Sequence, residues 1–357
     1  MTTVALSTMS HRPDHPHLRR RSARATWLTH RSALLAVGVV FFALVAAIVV
    51  PALSVQGAYS HFIADGCLGH PYTGGCQRLL TVVGGPTTYL SNLAIALHLF
   101  PLIAGVFIGA PLISRELESN SFRFTWTQGI GRARFELRRF ALLAATTVVA
   151  AAVLGLLMGW FAHPLEVVGL TSRWNAGLFD TTVLMLPAWT LFALAGGTLV
   201  GLAVGRTVNA MAITALPVGA LLLLGAIRQF GSFPGLVERV LRVAPAVART
   251  NQLSDQPWNA PAQGTGVGPK GSWLVQSWVT TPRGHALNPT QLFALVSRRP
   301  KSVRAPGEWL ASMHYKCWYS YQPADRFWTF EVVCAAVLVA LAVMFAVAML
   351  RLLRRHG

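Results

Sequence analysis

Arg115-Glu116-Leu117-Glu118-Ser119-Asn120-Ser121-Phe122-Arg123-Phe124-Thr125-Trp126-Thr127-Gln128-Gly129-Ile130-Gly131-Arg132 stands between two long apolar runs, and Arg134, Arg138 and Arg139 follow before the second run begins. Its punctuation is that of a short helix. Ser119, Asn120 or Ser121 can cap the start through a side-chain oxygen, and Gly129 with Gly131 can end it. Phe122 and Trp126 are four residues apart and share a face, with Arg123 on another side. Two readings stand: a helix that lays its apolar face into a partner's groove, or one that rests on lipid.

Working outward, the chain of 357 residues is 54% hydrophobic and only 12% charged, yet carries a formal net charge of +18. That balance belongs to a membrane protein. A bilayer core takes roughly 20 consecutive apolar residues per helix, and the stretches 33–53, 90–113, 140–162, 178–204, 208–227 and 332–352 meet that length. They predict six spans with both termini on one side. The first, preceded by Arg19, Arg20, Arg21 and Arg24, has the basic start of a signal peptide. Its apolar run exceeds the usual signal core of about 7–15 residues, so it reads as a retained anchor.

Orientation follows from the short loops, because Lys and Arg stay on the cytoplasmic side. The N-terminal tail (Arg12, Arg19, Arg20, Arg21, Arg24, Arg31), the 114–139 loop and the C-terminal tail (Arg351, Arg354, Arg355) are all basic, whereas the opposite short loops hold only Arg78 and Arg173. Both termini and the 114–139 loop are therefore expected in the cytoplasm, and the long 228–330 segment outside. Basic residues spread over loops beside spans point to anionic lipid, and no nucleic-acid partner is expected.

Residues 1–17 are rich in Ser, Thr, His and Pro and read as a disordered cytoplasmic tail; 18–31 reads as an interfacial helix with its arginines on lipid phosphates. Cys67 and Cys76 flank a spacer containing Gly69, Pro71, Gly74 and Gly75, a disulfide candidate, with zinc binding aided by His61 and His70 as the alternative and pairing with Cys317 also open. Cys334 reads as a buried small residue within the last span. Gly197, Gly201 and Gly205 recur every four residues and permit close helix approach, within one subunit or across a dimer seam. In the 228–330 loop, 236–247 and 289–296 read as short helices, the second capped by Asn288. The loop tryptophans Trp258, Trp273, Trp278, Trp309 and Trp318, with Trp328, suit a headgroup belt or a small packed core, or else a substrate exit.

The chemistry the chain lacks narrows its role. Gly264-Thr265-Gly266-Val267-Gly268-Pro269-Lys270-Gly271 is the nearest approach to a phosphate-binding loop, but Pro269 removes a backbone donor and no Ser or Thr follows Lys270. No His-Glu-x-x-His or Gly-x-Ser-x-Gly pattern occurs. The chain is not expected to be an enzyme or to bind metal or cofactor. His98 is the histidine lying well inside a span, a functional residue or a neutral imidazole bonded to a neighbouring helix. Asp180 and Glu331, at the starts of spans, are expected to remain solvated at the interfaces and to form no proton relay.

The stretch Arg115-Glu116-Leu117-Glu118-Ser119-Asn120-Ser121, followed by Thr127-Gln128-Gly129-Ile130-Gly131-Arg132, resembles the Arg-Glu-x-x-x-Gly-Thr and Thr-Pro or Thr-Gln segments of ABC-2 type permeases. It is most similar to the actinobacterial drug-export-like subunits, whose Trp-Thr-Gln and Tyr-Gln-Pro elements are matched by Trp126-Thr127-Gln128 and Tyr321-Gln322-Pro323. Asn120 replaces a frequent Gly, and Gly129 stands where others carry Ser or Pro. The resemblance implies an all-α integral membrane fold of the type V exporter kind. In that fold a connecting helix at 18–31 precedes spans one to five within 32–227, a cytoplasmic coupling helix lies between spans two and three, the extracytoplasmic loop is 228–330, and span six with a basic tail occupies 331–357.

The same resemblance implies the permease subunit of an ATP-binding-cassette exporter in the cytoplasmic membrane. It would move a hydrophobic or amphipathic substrate (drug, antibiotic, lipid or peptide) by means of ATP and Mg bound to a separate ATPase subunit, and would pair with a second permease. Arg115, Glu116, Glu118, Phe122, Trp126, Thr127, Gln128 and Arg132 would then be the ATPase-coupling residues. The rival classes are an ion-coupled secondary transporter, which requires membrane-embedded ionisable groups, and a non-transporting sensor or scaffold.

Overall fold

A computed structural model describes residues 16–68, 74–118, 132–227, 239–243, 271–300 and 306–355. Helix α1 (Pro16–Ala64) is followed by α2 (Gly74–Gly84) and α3 (Thr87–Ile103), which continues through a π-helical turn at Ala104–Gly109 into α4 (Pro111–Glu118). Then come α5 (Arg132–Val167), the single turn α6 (Ala176–Phe179), α7 (Met185–Val204) and α8 (Thr207–Ile227). Strands β1 (Arg239–Val243) and β2 (Trp273–Thr280), helices α9 (Pro289–Ser297) and α10 (Pro306–Ser312), and strand β3 (Lys316–Gln322) precede the final helix α11 (Phe327–Arg355).

Among the described residues, five helical stretches are long and apolar enough to cross a membrane: Gly38–Ala64, Gly74–Glu118, Phe135–Val167, Met185–Val204 and Ala324–Arg354. The fifth span expected from the sequence coincides with α8, whose Thr207–Ala220 part counts as a shorter apolar helix. Large apolar side chains such as Val39, Phe42, Leu142, Leu156, Leu216 and Val343 point outward, while His98, Thr190, Thr198 and Thr214 are buried inside. This inversion of the soluble pattern suits a bundle solvated by lipid. The buried threonines return their hydroxyl protons to carbonyls four residues back, as Thr190 does to Leu186 and Thr198 to Leu194.

Two of the prolines inside the helices, Pro51 and Pro164, leave them unbroken for a reason that can be traced. A helical proline leaves the carbonyl four residues earlier without its donor. For Pro51 that carbonyl belongs to Ala47, and Tyr89 Oη donates to it at 2.8 Å; for Pro164 it belongs to Trp160, and Gln56 Nε2 donates to it at 2.8 Å. Helix α1 therefore runs past Leu53, where the sequence reading ended it, to Ala64. Much of the expected 54–89 loop is helical as well. The 18–31 segment is helical but continuous with the span, since Ser32, Ala33 and Leu34 supply no stop signal. Of the expected disordered tail, Pro16 and His17 belong to α1, and residues 1–15 lie outside the described residues.

The tightest packing lies between α7 and the π-helical turn. A Cβ on Gly105 would stand 2.7 Å from the Ala193 carbonyl oxygen and one on Gly109 2.6 Å from that of Leu194, while Gly197 and Gly201 face the Gly105 and Ala110 carbonyls more closely still. Gly197 and Gly201 thus serve contact within the chain. Gly205 instead ends α7 in the left-handed region (φ 66°).

The 228–330 region departs from the all-α expectation. It holds an antiparallel sheet of order β1-β3-β2, with Val243, Cys317 and Val279 aligned across it. The 236–247 stretch, read as a helix, contributes β1, because the alternating Arg239-Val240-Leu241-Arg242-Val243 finds its partner in β3, far away in sequence. Helix α9 is capped as anticipated, with Asn288 and Gln291 forming a reciprocal capping box. Val279, Leu292, Leu310 and Cys317 form a small core with Trp309 against it, whereas Trp328 is exposed at the start of α11. Trp258 lies outside the described residues.

Candidate functional site

Helix α4 ends at Glu118 and α5 begins at Arg132; residues 119–131, with Phe122, Trp126, Thr127 and Gln128, lie outside the described residues. Its two roots are described, and they are braced by charge. Glu116 Oε1 accepts from Nη1 of Arg139 on α5, and Glu136 Oε2 lies 3.9 Å from the same nitrogen, three residues back on α5. Arg139 and Glu136 are buried, and the Glu116 side chain is 28% exposed. This ion pair ties α4 to α5 directly beneath the loop.

On its other side α4 holds the turn between α7 and α8. Glu118 Oε2 accepts from the backbone N–H of Thr207 at 3.0 Å, so a carboxylate from one helix caps the start of another. Ser114 Oγ lies 3.4 Å from Thr207 Oγ1 and donates to the Ala110 carbonyl, and Leu117 approaches Gly205. Helix α4 is thus a strut with a polar contact on each flank.

Of the residues named from sequence, Glu116 and Glu118 are engaged inside the chain rather than presented outward, and Arg115 is exposed. Arg132 opens α5. Sequence reasoning missed Arg139, Glu136 and Thr207. The Glu136–Arg139 spacing of three on one helix was a usable signal; nothing local marked Arg139 as buried and its neighbour Arg138 as exposed.

At the opposite end of the bundle Cys67 and Cys76 are joined by a disulfide with a Cα–Cα distance of 5.4 Å, linking the ends of α1 and α2. Their sulfurs are therefore not zinc ligands. Cys317 is a buried free thiol that burial pushes up to about 11. Cys334 is half-buried rather than fully enclosed.

The same end corrects the expectation that Asp180 and Glu331 stay solvated, since both are buried. Asp180 precedes α7 but is folded inward against α3, its Oδ2 3.6 Å from His98 Nε2 and its Oδ1 3.3 Å from Trp189 Nε1. Glu331 sits on the first turns of α11, facing Thr182 and Leu184. Arg173, the other cation of this region, pairs with Glu166 at 3.3 Å and lies over the Phe327 ring.

The model of the family described as ABC-2 membrane transporter related matches residues 23–228, more than half of the chain and all of it from early α1 to the end of α8. The chain belongs to that family, and is an ABC-2 type permease and a multi-pass membrane protein. Comparison with curated proteins and with solved structures gives no match.

Proposed function

We propose that this chain is the transmembrane subunit of an ATP-driven exporter, and that a separate ATPase docks on the 119–131 loop. The observation that carries this reading is the brace at the loop's roots. A push on the loop is delivered to α4, and through Glu116–Arg139 and Glu118–Thr207 to α5 and α8. Energy entering by contact needs such a joint, because a floppy root would dissipate the motion. Phe122 and Trp126 are the docking face, with Thr127 and Gln128 beside them. Helix α8 is the fifth of six spans, the basic tails and the 119–131 loop lie in the cytoplasm, and the sheet lies outside. A second permease completes the path, and the substrate is apolar or amphipathic.

The test is co-purification from native membranes. Phe122→Ala combined with Trp126→Ala should leave the protein inserted and lose the ATPase; an unchanged yield of complex with unchanged ATP-dependent transport overturns the reading.

The buried His98, Asp180 and Glu331 favour a second reading, an ion-coupled transporter, since that class needs ionisable groups inside the bundle. Transport in vesicles separates the two. Uptake that stops with a proton ionophore and continues without ATP would support the second.

A further inference from the structure

The group around Asp180 has more negative charge than its surroundings satisfy. A carbonyl can only accept, so the 2.6 Å contact of His98 Nδ1 with the Ala94 oxygen places the ring proton on Nδ1. In neutral imidazole Nε2 is then a bare acceptor, and it faces the Asp180 carboxylate at 3.6 Å without a hydrogen-bond partner. Two acceptors facing each other in a buried place call for a positive charge between or beside them. Glu331 repeats the situation. It is fully buried, and the groups turned toward its carboxylate, the Thr182 side chain and the Leu184 backbone, are neutral.

The two carboxylates belong to one locality. Phe179, next to Asp180 in the chain, packs on Phe327, one turn before Glu331 on α11, and Trp174 packs on Phe330, next to Glu331. Aromatic rings line the same place. Trp189 donates to Asp180, Phe179 meets Phe327 edge-on with centroids 5.8 Å apart, and Trp174 meets Phe327 and Phe330 at 5.1 and 5.4 Å. Arg173 already rests over Phe327 at 5.3 Å, so this ring surface accepts a cation. The close partner of Arg173 is Glu166 at 3.3 Å, and it reaches Glu331 only as a more distant charge.

We propose that the Asp180–Glu331 locality is a binding site for a lipophilic organic monocation, with the carboxylates answering its charge and the rings of Trp189, Phe327 and Phe330 its apolar groups. A metal ion is disfavoured by the ring lining, and no group of three or more ligating side chains placed for a metal occurs among the described residues. In this state the rings close on one another, so a ligand enters when α11 and the 173–184 segment part. As a statement of substrate class the proposal rests on the permease reading. As a statement of binding it does not.

The experiment uses the full chain in lipid nanodiscs without ATPase or ATP, and measures binding of tetraphenylphosphonium against that of uncharged triphenylphosphine oxide. The cation should bind saturably and more tightly than the neutral compound. Asp180→Asn and Glu331→Gln should each weaken the cation about tenfold, the scale of one lost desolvated contact, and leave the neutral compound unchanged. Equal binding of cation and neutral compound to the unsubstituted chain overturns the proposal, even if neither variant folds. So does cation binding that both variants retain in full, which would leave a proton as the sole occupant. Since no ATPase is present, loss of the exporter reading and loss of this site are separate results.

Discussion

The two ends of the bundle treat buried charge in opposite ways. At the roots of the 119–131 segment, Glu116 and Glu136 both face the cation Arg139, and Glu118 accepts from the start of α8. At the end nearer the sheet, His98 Nε2 and the carboxylate of Glu331 are buried with their valences open. A closed set of charges holds elements in register; an open set costs free energy until something arrives to close it. On the readings proposed above, the first end acts as a joint and the second as a site.

The joint depends first on backbone contact, and the largest effect should come from filling it. Gly201→Val places side-chain atoms against the Ala110 carbonyl, and since backbone cannot yield as a side-chain tip does, a loss of about 3 kcal/mol or more is expected, read as failure to elute as a folded species in detergent. The same change at Gly159, which has open space around it, should be tolerated and serves as the control. Next comes the charge itself. Arg139→Ala leaves Glu136 buried without its cation, for a cost of about 3 kcal/mol in thermal unfolding, and Arg139→Lys should recover part of it. If Arg139→Ala is as stable as the parent, the joint is not held by charge.

Smaller effects sharpen the contrast. Glu118→Gln keeps an acceptor for the Thr207 N–H but removes the charge at a helix start; ATP-driven transport should fall while folding is unaffected, and hydrogen exchange at the first turn of α8 should rise a few-fold, a change of about 1 kcal/mol or less. At the other end, the buried Cys317 thiol, with its pKa pushed up to about 11, should resist maleimide at neutral pH in the folded protein and react after unfolding. Rapid labelling of Cys317 in the native state would mean that the small core of Val279, Leu292 and Leu310 opens readily.

Much of this was legible in the sequence because it depends on local rules. Apolar length located the five long apolar helices, the Gly and Pro spacer pointed to Cys67–Cys76, and Asn288 with Pro289 marked the start of α9. What escaped depends on partners remote in sequence. Pro51 looked like a terminator because its rescue comes from Tyr89, on another helix. Strand β1 looked helical because β3, which pairs with it, lies more than seventy residues on. Asp180 and Glu331 looked interfacial because they flank spans, yet Leu178 to Thr181 are buried before α7 begins, and Glu331 is buried on the first turns of α11. The residues of 119–131 offered either a partner's groove or lipid as their contact, and the ATPase was implied by the family resemblance.

The direct test of docking is recovery of the ATPase with the permease from native membranes, comparing the unsubstituted chain, the Phe122→Ala, Trp126→Ala double variant and Arg139→Lys. The account predicts that the double variant loses the ATPase, while Arg139→Lys retains it but transports more slowly, because docking survives and transmission does not. Equal recovery of the ATPase by all three, with undiminished ATP-driven transport, would contradict it.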